Sequence, residues 1–395
     1  MIVRMSLVGG MNLRPVVIAV SVATAGVLPA FLTGGLAVQI KDELGFGTAN
    51  LGIAVAVFFA SAALASVVMG RFVERIGSHT GMRLAAAASA LSLLSVALFA
   101  RSWMALVLCL VVGGLANAMA HPSANLSIAR EVPSDRQGFS FGIKQASIPA
   151  ATLLAGLAVP FVAATLGWRW AFVGGAVLAL GISLSVRGED HAPAPKPKGE
   201  RGGDARYRAL AVLALGIGLG STAATPLGAF IVGSSVESGI RVETAGLLLA
   251  AGSAFSIVVR IVFGYLADGM SGGRLRLVAG MLAVGILGFV LLSTGAPWAI
   301  VAGTLLAFGA GWGWPGLFNF AVVHSNPAAP AAATGITQTG ASSGAAVGPL
   351  VFGVVVEATS YGTAWMVCGG ISLAAIAAIL IGRWMLLRDR AAMAG

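Results

Sequence analysis

Long apolar stretches alternate along the chain with short polar breaks, and each stretch is about as long as the roughly 20 helical residues needed to cross a 30 Å hydrocarbon core. Twelve such runs are predicted, at about 14–38, 47–70, 82–101, 103–129, 138–165, 168–187, 208–236, 242–267, 275–294, 297–323, 329–356 and 362–387, with ends accurate to about 4 residues. The first run is too long, and followed by too many others, to be a cleaved signal peptide. The expected fold class is therefore an all-α membrane protein with twelve transmembrane helices.

Composition strengthens this reading. Of 395 residues, 58% are hydrophobic and 10% charged, with a mean hydropathy of +0.94, whereas a soluble domain carries about a quarter of its residues as charges. The net charge of +10 is spread between apolar runs rather than clustered, which excludes nucleic acid as a partner and names the lipid bilayer instead. Cys109 and Cys368 lie far apart inside apolar runs and suggest neither a disulfide nor a metal site. With twelve spans both termini share one side. The opposite loops hold only Lys41, Arg101, Arg169 and Arg241, so the positive-inside rule puts the termini in the cytoplasm. Trp103, Trp168, Trp170, Trp298, Trp365 and Trp384 fall near predicted helix ends, where an aromatic belt is expected.

The only long polar stretch, Arg187 to Arg208, contains Pro193, Pro195 and Pro197 among small residues and lysines, and reads as a cytoplasmic linker. It divides the chain into a six-helix bundle at 1–187, a linker at 188–207 and a second bundle at 208–395. The bundles repeat one another at a nearly constant offset. Gly70-Arg71-Phe72-Val73-Glu74 matches Gly264-Tyr265-Leu266-Ala267-Asp268, His121-Pro122 matches Trp314-Pro315, and Gly142-Ile143-Lys144-Gln145 matches Gly335-Ile336-Thr337-Gln338.

Twelve spans in a 6+6 duplication with a basic central loop resemble the major facilitator superfamily over essentially the whole chain. The specific marker is the loop expected between the second and third spans. There Gly70-Arg71-Phe72-Val73-Glu74-Arg75-Ile76-Gly77 is similar to the family pattern G-x-L-A-D-R-x-G-R, with Glu for Asp and a later basic residue in Arg83. Gly264 and Asp268, followed by Arg274, repeat it in the second half. The resemblance implies two six-helix bundles related by pseudo-two-fold symmetry, alternating access by rocking, and a conformational latch made of Gly70, Glu74, Arg75, Arg83, Gly264, Asp268 and Arg274. Arg260, two turns before Asp268 on the same helix, is assigned to that latch.

Intramembrane ionisable groups mark function by default. All 14 acidic residues fall in loops or at predicted helix ends, so no carboxylate is expected in mid-membrane. Inside the spans stand His121, Lys144 and Arg260. His121 is one helical turn from both Asn117 and Asn125, which gives a polar stripe facing a cavity or another helix. Lys144 lies close enough to the cytoplasmic end to be either a substrate contact or a snorkelling side chain. The pattern suits a small organic anion of the monocarboxylate or aromatic-acid type. Its head would rest on Lys144, His121 and Gln145 and its body on Trp312 and Trp314, with Asn319 and Gln338 as hydrogen-bond partners. The tryptophans are equally open to a packing role. His121 is the coupling candidate if protons take part.

The expected activity is secondary active transport of such an anion across a bacterial cytoplasmic membrane. Efflux of hydrophobic drugs by antiport is the alternative. Gly340, Gly344, Gly348, Pro349 and Gly353 resemble an exporter's glycine-proline motif but stand in the eleventh span rather than the fifth. Metal import is disfavoured by 12 scattered methionines. A non-transporting sensor or assembly factor is disfavoured by the duplicated latch. An enzyme is excluded for want of a nucleophile and base pair, metal cluster or P-loop. No cofactor is expected, and a monomer can contain the whole pathway.

Overall fold

The structure, a computed structural model, describes residues 14–133, 137–188, 207–268, 270, 272–326 and 330–394, with backbone alone at 137–139, 141, 267–268, 330–332 and 389–394. Among the described residues every regular element is helical, as it must be where lipid cannot satisfy a free peptide group. Among the described residues, twelve helices are long and apolar enough to span a membrane: Arg14–Gly35, Thr48–Ile76, Ser78–Phe99, Trp103–Glu131, Gly142–Leu166, Trp168–Ser185, Tyr207–Glu237, Val242–Leu266, Arg274–Ser293, Pro297–Ser325, Ala333–Ala358 and Tyr361–Arg388. They are referred to below as the first to twelfth spans. All twelve coincide with the predicted runs. The linker expected at 188–207 falls almost entirely outside the described residues.

Three local features depart from the sequence pattern. The segment from Gly70 to Ile76 is helical, not a loop, because nothing breaks the second span before Gly77. Gly77 alone makes the turn at φ 91°, a conformation only glycine adopts without strain, and the third span starts at Ser78. The first predicted run splits into the first span and a short amphipathic helix, Ala37–Leu44, which carries Lys41, Asp42 and Glu43 along the membrane face away from the termini. The tryptophan belt is smaller than expected. Trp170, Trp298 and Trp384 are exposed at helix ends, but Trp168 and Trp365 are buried. Trp168 donates to Glu43 at 2.7 Å, while Trp365 donates to Ser234 at 2.9 Å and stacks on Phe289, so hydrogen bonds and ring packing hold them instead of the interface.

Glycine sets how closely the helices meet. Gly340, Gly344 and Gly348 recur every fourth residue on the eleventh span and lie directly on the Ala214, Gly218 and Thr222 carbonyls of the seventh, a small-residue seam inside the second bundle. Gly216 lies against Ile379 and Gly220 against the Trp314 ring, so the glycine-rich run at 216–220 serves helix packing.

Between the bundles, contact is concentrated toward the face opposite the termini. Gly34 of the first span touches the Gly228 and Ala229 backbone of the seventh, Gly52 of the second meets Pro349 and Gly353 of the eleventh, and Gly156 of the fifth meets Gly246 and Ala250 of the eighth. A buried hydroxyl pair, Thr152 with Ser253 at 2.7 Å, joins the fifth and eighth spans within this contact. At the opposite face itself, the Glu357 carboxylate of the eleventh span accepts the Ala49 backbone N–H of the second span at 2.8 Å, occupying the positive end of that helix. Nearby Lys41 donates to Thr48 at 2.6 Å. Partial burial pushes the Lys41 ammonium below its usual pKa, against the pull of Glu357, Asp42 and Glu237. Arg169 and Trp168 both donate to Glu43, and the Arg169 hydrogen bond foremost holds that carboxyl below the usual carboxylate range. At the terminal face, no neighbour among the described residues lies where a Cβ would project from Gly70, Gly142, Gly264 or Gly335. The two bundles are therefore packed tightly together at one face, while toward the other, among the described residues, Gln137–Lys144 of the first bundle still meets the eighth and tenth spans of the second.

Candidate functional site

The residues with the most chemistry collect where helices are interrupted. The fourth span contains Pro122, which removes a backbone donor next to His121. The fifth span breaks at Gln145 and Ala146, between the helices Gln137–Lys144 and Ser147–Ala158. The tenth span widens into a π turn at Ala307–Gly311 and then opens at 312–314 before resuming at Pro315. Such breaks inside a membrane are tolerated only where protein or a cavity re-satisfies the freed groups.

Arg260 of the eighth span supplies that satisfaction. One terminal nitrogen donates to the Gln145 carbonyl of the first bundle at 2.8 Å, and the other donates to the Trp312 carbonyl of the second bundle at 2.6 Å. The side chain is more than nine-tenths buried and its Nε has no acceptor. Sequence reasoning assigned Arg260 to the latch beside Asp268. The structure directs it away from that helix end, to two carbonyls exposed by breaks in other helices. The breaks themselves have a sequence mark, Pro149 four residues after Gln145 and Pro315 three after Trp312, but which side chain reaches the carbonyls there is set by packing, so the partners of Arg260 were not legible in the sequence.

Lys144 closes the short helix before the break and is 7% exposed, and no hydrogen bond among the described residues holds its ammonium. His121 is half-buried and near enough to feel the Lys144 charge. One turn away, Asn117 is buried against Gly26 of the first span and its Oδ1 has no donor. Ser147, one turn past Lys144, and Ser256, one turn before Arg260, likewise have buried hydroxyls without partners. Unpaired buried polar atoms are uncommon, and several around one set of helix breaks mark a place where a ligand or water completes the bonding.

The structure thus brings together Asn117, His121, Lys144, Gln145, Arg260 and Trp312. The Trp312 ring is edge-on to Phe31 of the first span at 5.8 Å and lies near Phe308 at 5.7 Å, so it sits at the seam between bundles. Trp314 does not share this position. It is fully buried, its Nε1 donates to Gly311 at 2.8 Å, and its ring fills the notch at Gly220. A ring so enclosed packs the second bundle and has no surface left for a substrate. Asn125 and Gln338 are exposed and Asn319 is half-buried, and no hydrogen bond among the described residues joins them to the cluster.

The latch residues fall on the helices Thr48–Ile76, Ser78–Phe99, Val242–Asp268 and Arg274–Ser293. Gly70 and Gly264 touch nothing through their open faces, and Glu74 and Arg75 are exposed. Arg83 donates from Nε to the Val186 carbonyl at 2.8 Å, tying the third span to the end of the sixth within one bundle. Arg274 donates to the Met270 carbonyl at 2.6 Å and stands over the Phe320 ring at 4.8 Å. The Asp268 side chain lies outside the described residues. Sequence reasoning missed the Glu357 cap at the other face, whose only signal was a lone acid near a helix end.

Known proteins share this architecture. Two crystal structures of a bacterial homologue of the human lysosomal transporter Spinster, both inward-facing, are similar to it. The unoccupied one has a TM-score of 0.71 and 16% identity over 95% of this chain and 96% of that one. The occupied one has a TM-score of 0.67 and 16% identity over 94% and 95%. At this identity the likeness concerns the fold. Among curated proteins no sequence matches. The family model of the Major Facilitator Superfamily matches residues 18–206 and 235–394, spanning both bundles, and the chain therefore belongs to that superfamily of membrane transporters.

Proposed function

We propose that the protein is a secondary transporter for a small organic anion of the monocarboxylate or aromatic-acid type. One observation carries the reading. The buried polar cluster contains two cations, Lys144 and Arg260, and a histidine, while every acidic residue whose side chain is described lies outside the helix breaks, at a helix end or in a connection. A buried charge without a counter-ion is unfavourable by several kcal/mol, so a bound anion is the natural complement. The head of the anion rests on Lys144 and His121 and its apolar body on Trp312, with Asn117, Ser147 and Ser256 as hydrogen-bond partners. Asn319, Gln338 and Asn125 line the approach.

The Lys and Arg distribution supports a cytoplasmic terminal face, and a bacterial inner membrane is the proposed location. With the opposite face closed, rocking of the bundles about the central cluster is what exchanges the open side. The monomer holds the whole pathway. Protons, if coupled, pass through His121, and transport by His121→Gln that kept its pH dependence would exclude the histidine.

Thermal stabilisation of the purified protein by a panel of carboxylates and lipophilic cations tests the reading. A carboxylate at 100 times its Kd stabilises wild type by about 2.7 kcal/mol, and Lys144→Ala loses that stabilisation. Cations stabilising both proteins, with carboxylates stabilising neither, would reject it.

A further inference from the structure

Arg260 hydrogen-bonds, at the level of the cluster, to both bundles at once. Its acceptors are neutral carbonyls at two helix breaks, and the third face of the guanidinium, Nε, is buried without any acceptor. Such an arrangement is incomplete. Hydrogen bonds between a guanidinium and an anionic oxygen are roughly twice as strong as those between neutral groups, and the planar fork suits a carboxylate in two-point contact. A carboxylate arriving beside Lys144 outcompetes the Gln145 carbonyl for Arg260, because Gln145 follows Lys144 directly in the chain and the guanidinium already reaches it.

We propose that the protein is an anion exchanger, with Arg260 as the residue that keeps the empty carrier from turning over. In the empty carrier the guanidinium, anchored on the Trp312 carbonyl of its own bundle, ties the eighth span to the fifth span of the other, so rocking must break the charge-assisted hydrogen bond to the Gln145 carbonyl inside a low-dielectric core. In the loaded carrier the anion takes the guanidinium, the Gln145 carbonyl is freed, and the bundles separate with the substrate in place. Movement then requires an anion in each direction, and one carboxylate is swapped for another of equal charge with no net charge crossing the membrane. The inference rests on the anion reading above and adds the mode of transport to it.

Flux in proteoliposomes tests it, using labelled acetate, lactate, benzoate and 1-naphthoate with either unlabelled carboxylate or none on the far side. For any carboxylate that wild type moves, exchange is expected to exceed net uptake by about tenfold, the equivalent of losing one charge-assisted hydrogen bond. Arg260→Gln brings the ratio near one. Arg260→Lys, which keeps the charge but lacks the fork, falls between, and it decides the matter if the glutamine variant does not elute as a folded species. The ratio is read because a simple loss of affinity lowers both rates together. Net uptake as fast as exchange in wild type, or an unchanged ratio in both variants, overturns the exchanger proposal while leaving the anion site standing. Failure of every carboxylate to move, or to stabilise wild type, overturns the anion reading and the exchanger with it.

Discussion

The two ends of the second span behave differently although each carries a glycine on the same face. Gly52 and Gly70 are eighteen residues apart, five full turns, and so share one face of the helix. Gly52 is pressed onto Pro349 and Gly353 of the other bundle, and Gly70 faces open space. The eighth span repeats the arrangement, with Gly246 against Val159 and Gly156 and with Gly264 open. Glycine therefore does not make a contact in a membrane helix. It permits one, and the orientation of two rigid bundles decides which of the two permitted contacts is made. Because lipid is as apolar as leucine, close backbone approach and a few polar ties hold the closed end. Those ties, the Glu357 cap on the second span and the Thr152–Ser253 pair, are at the closed end.

The sharpest way to break the comparison is to fill one glycine at a time. A Cβ at Gly52 would enter the Pro349 carbonyl and neighbouring backbone, which cannot yield as a flexible side chain would. Gly52→Val should prevent closure at the opposite face by about 1–3 kcal/mol or more of overpacking and reduce transport at least tenfold. Gly70→Val fits the present arrangement and should instead block closure at the terminal face. Labelling of Ser235→Cys, buried on the seventh span, by a membrane-impermeant thiol reagent distinguishes them: it rises in Gly52→Val and falls in Gly70→Val relative to the unsubstituted protein. Equal labelling in the two would refute the contrast.

A smaller effect is expected from the cap. Glu357→Gln keeps an acceptor for the Ala49 N–H but loses the charge at the helix end, weakening closure by about 0.5–1.5 kcal/mol and raising Ser235→Cys labelling severalfold. The smallest effect concerns Glu43. Its folded carboxyl is held below its unfolded pKa, so its stabilisation is present above the unfolded value and is lost as pH falls through the folded one. Glu43 is about half exposed, which limits the contribution to less than about 1 kcal/mol. In melting experiments Arg169→Ala should flatten the acid side of the pH–stability curve slightly, and an identical curve would remove Arg169 as its cause.

These contrasts also show how much could be read before the structure. Lys144, His121 and Gln145 were identifiable as candidates because a charge or polar stripe inside an apolar run is costly wherever it points. Trp312 and Trp314 could not be separated, since both belong to the same glycine-rich run and differ only in which notch each ring fills. The Arg260 pairing was beyond reach for a similar reason: its partners are backbone carbonyls, which every residue possesses and which become available only where a helix opens.

The amino-acid sequence by itself determined the twelve spans, their duplication and the paired glycines, because lipid demands a full helix for every crossing and both halves carry the same pattern. The tertiary structure alone decided which end of each glycine pair is in contact, which tryptophan meets the seam and what Arg260 holds. Those outcomes depend on how segments nearly two hundred residues apart face one another, and helix periodicity contains no information about that rotation.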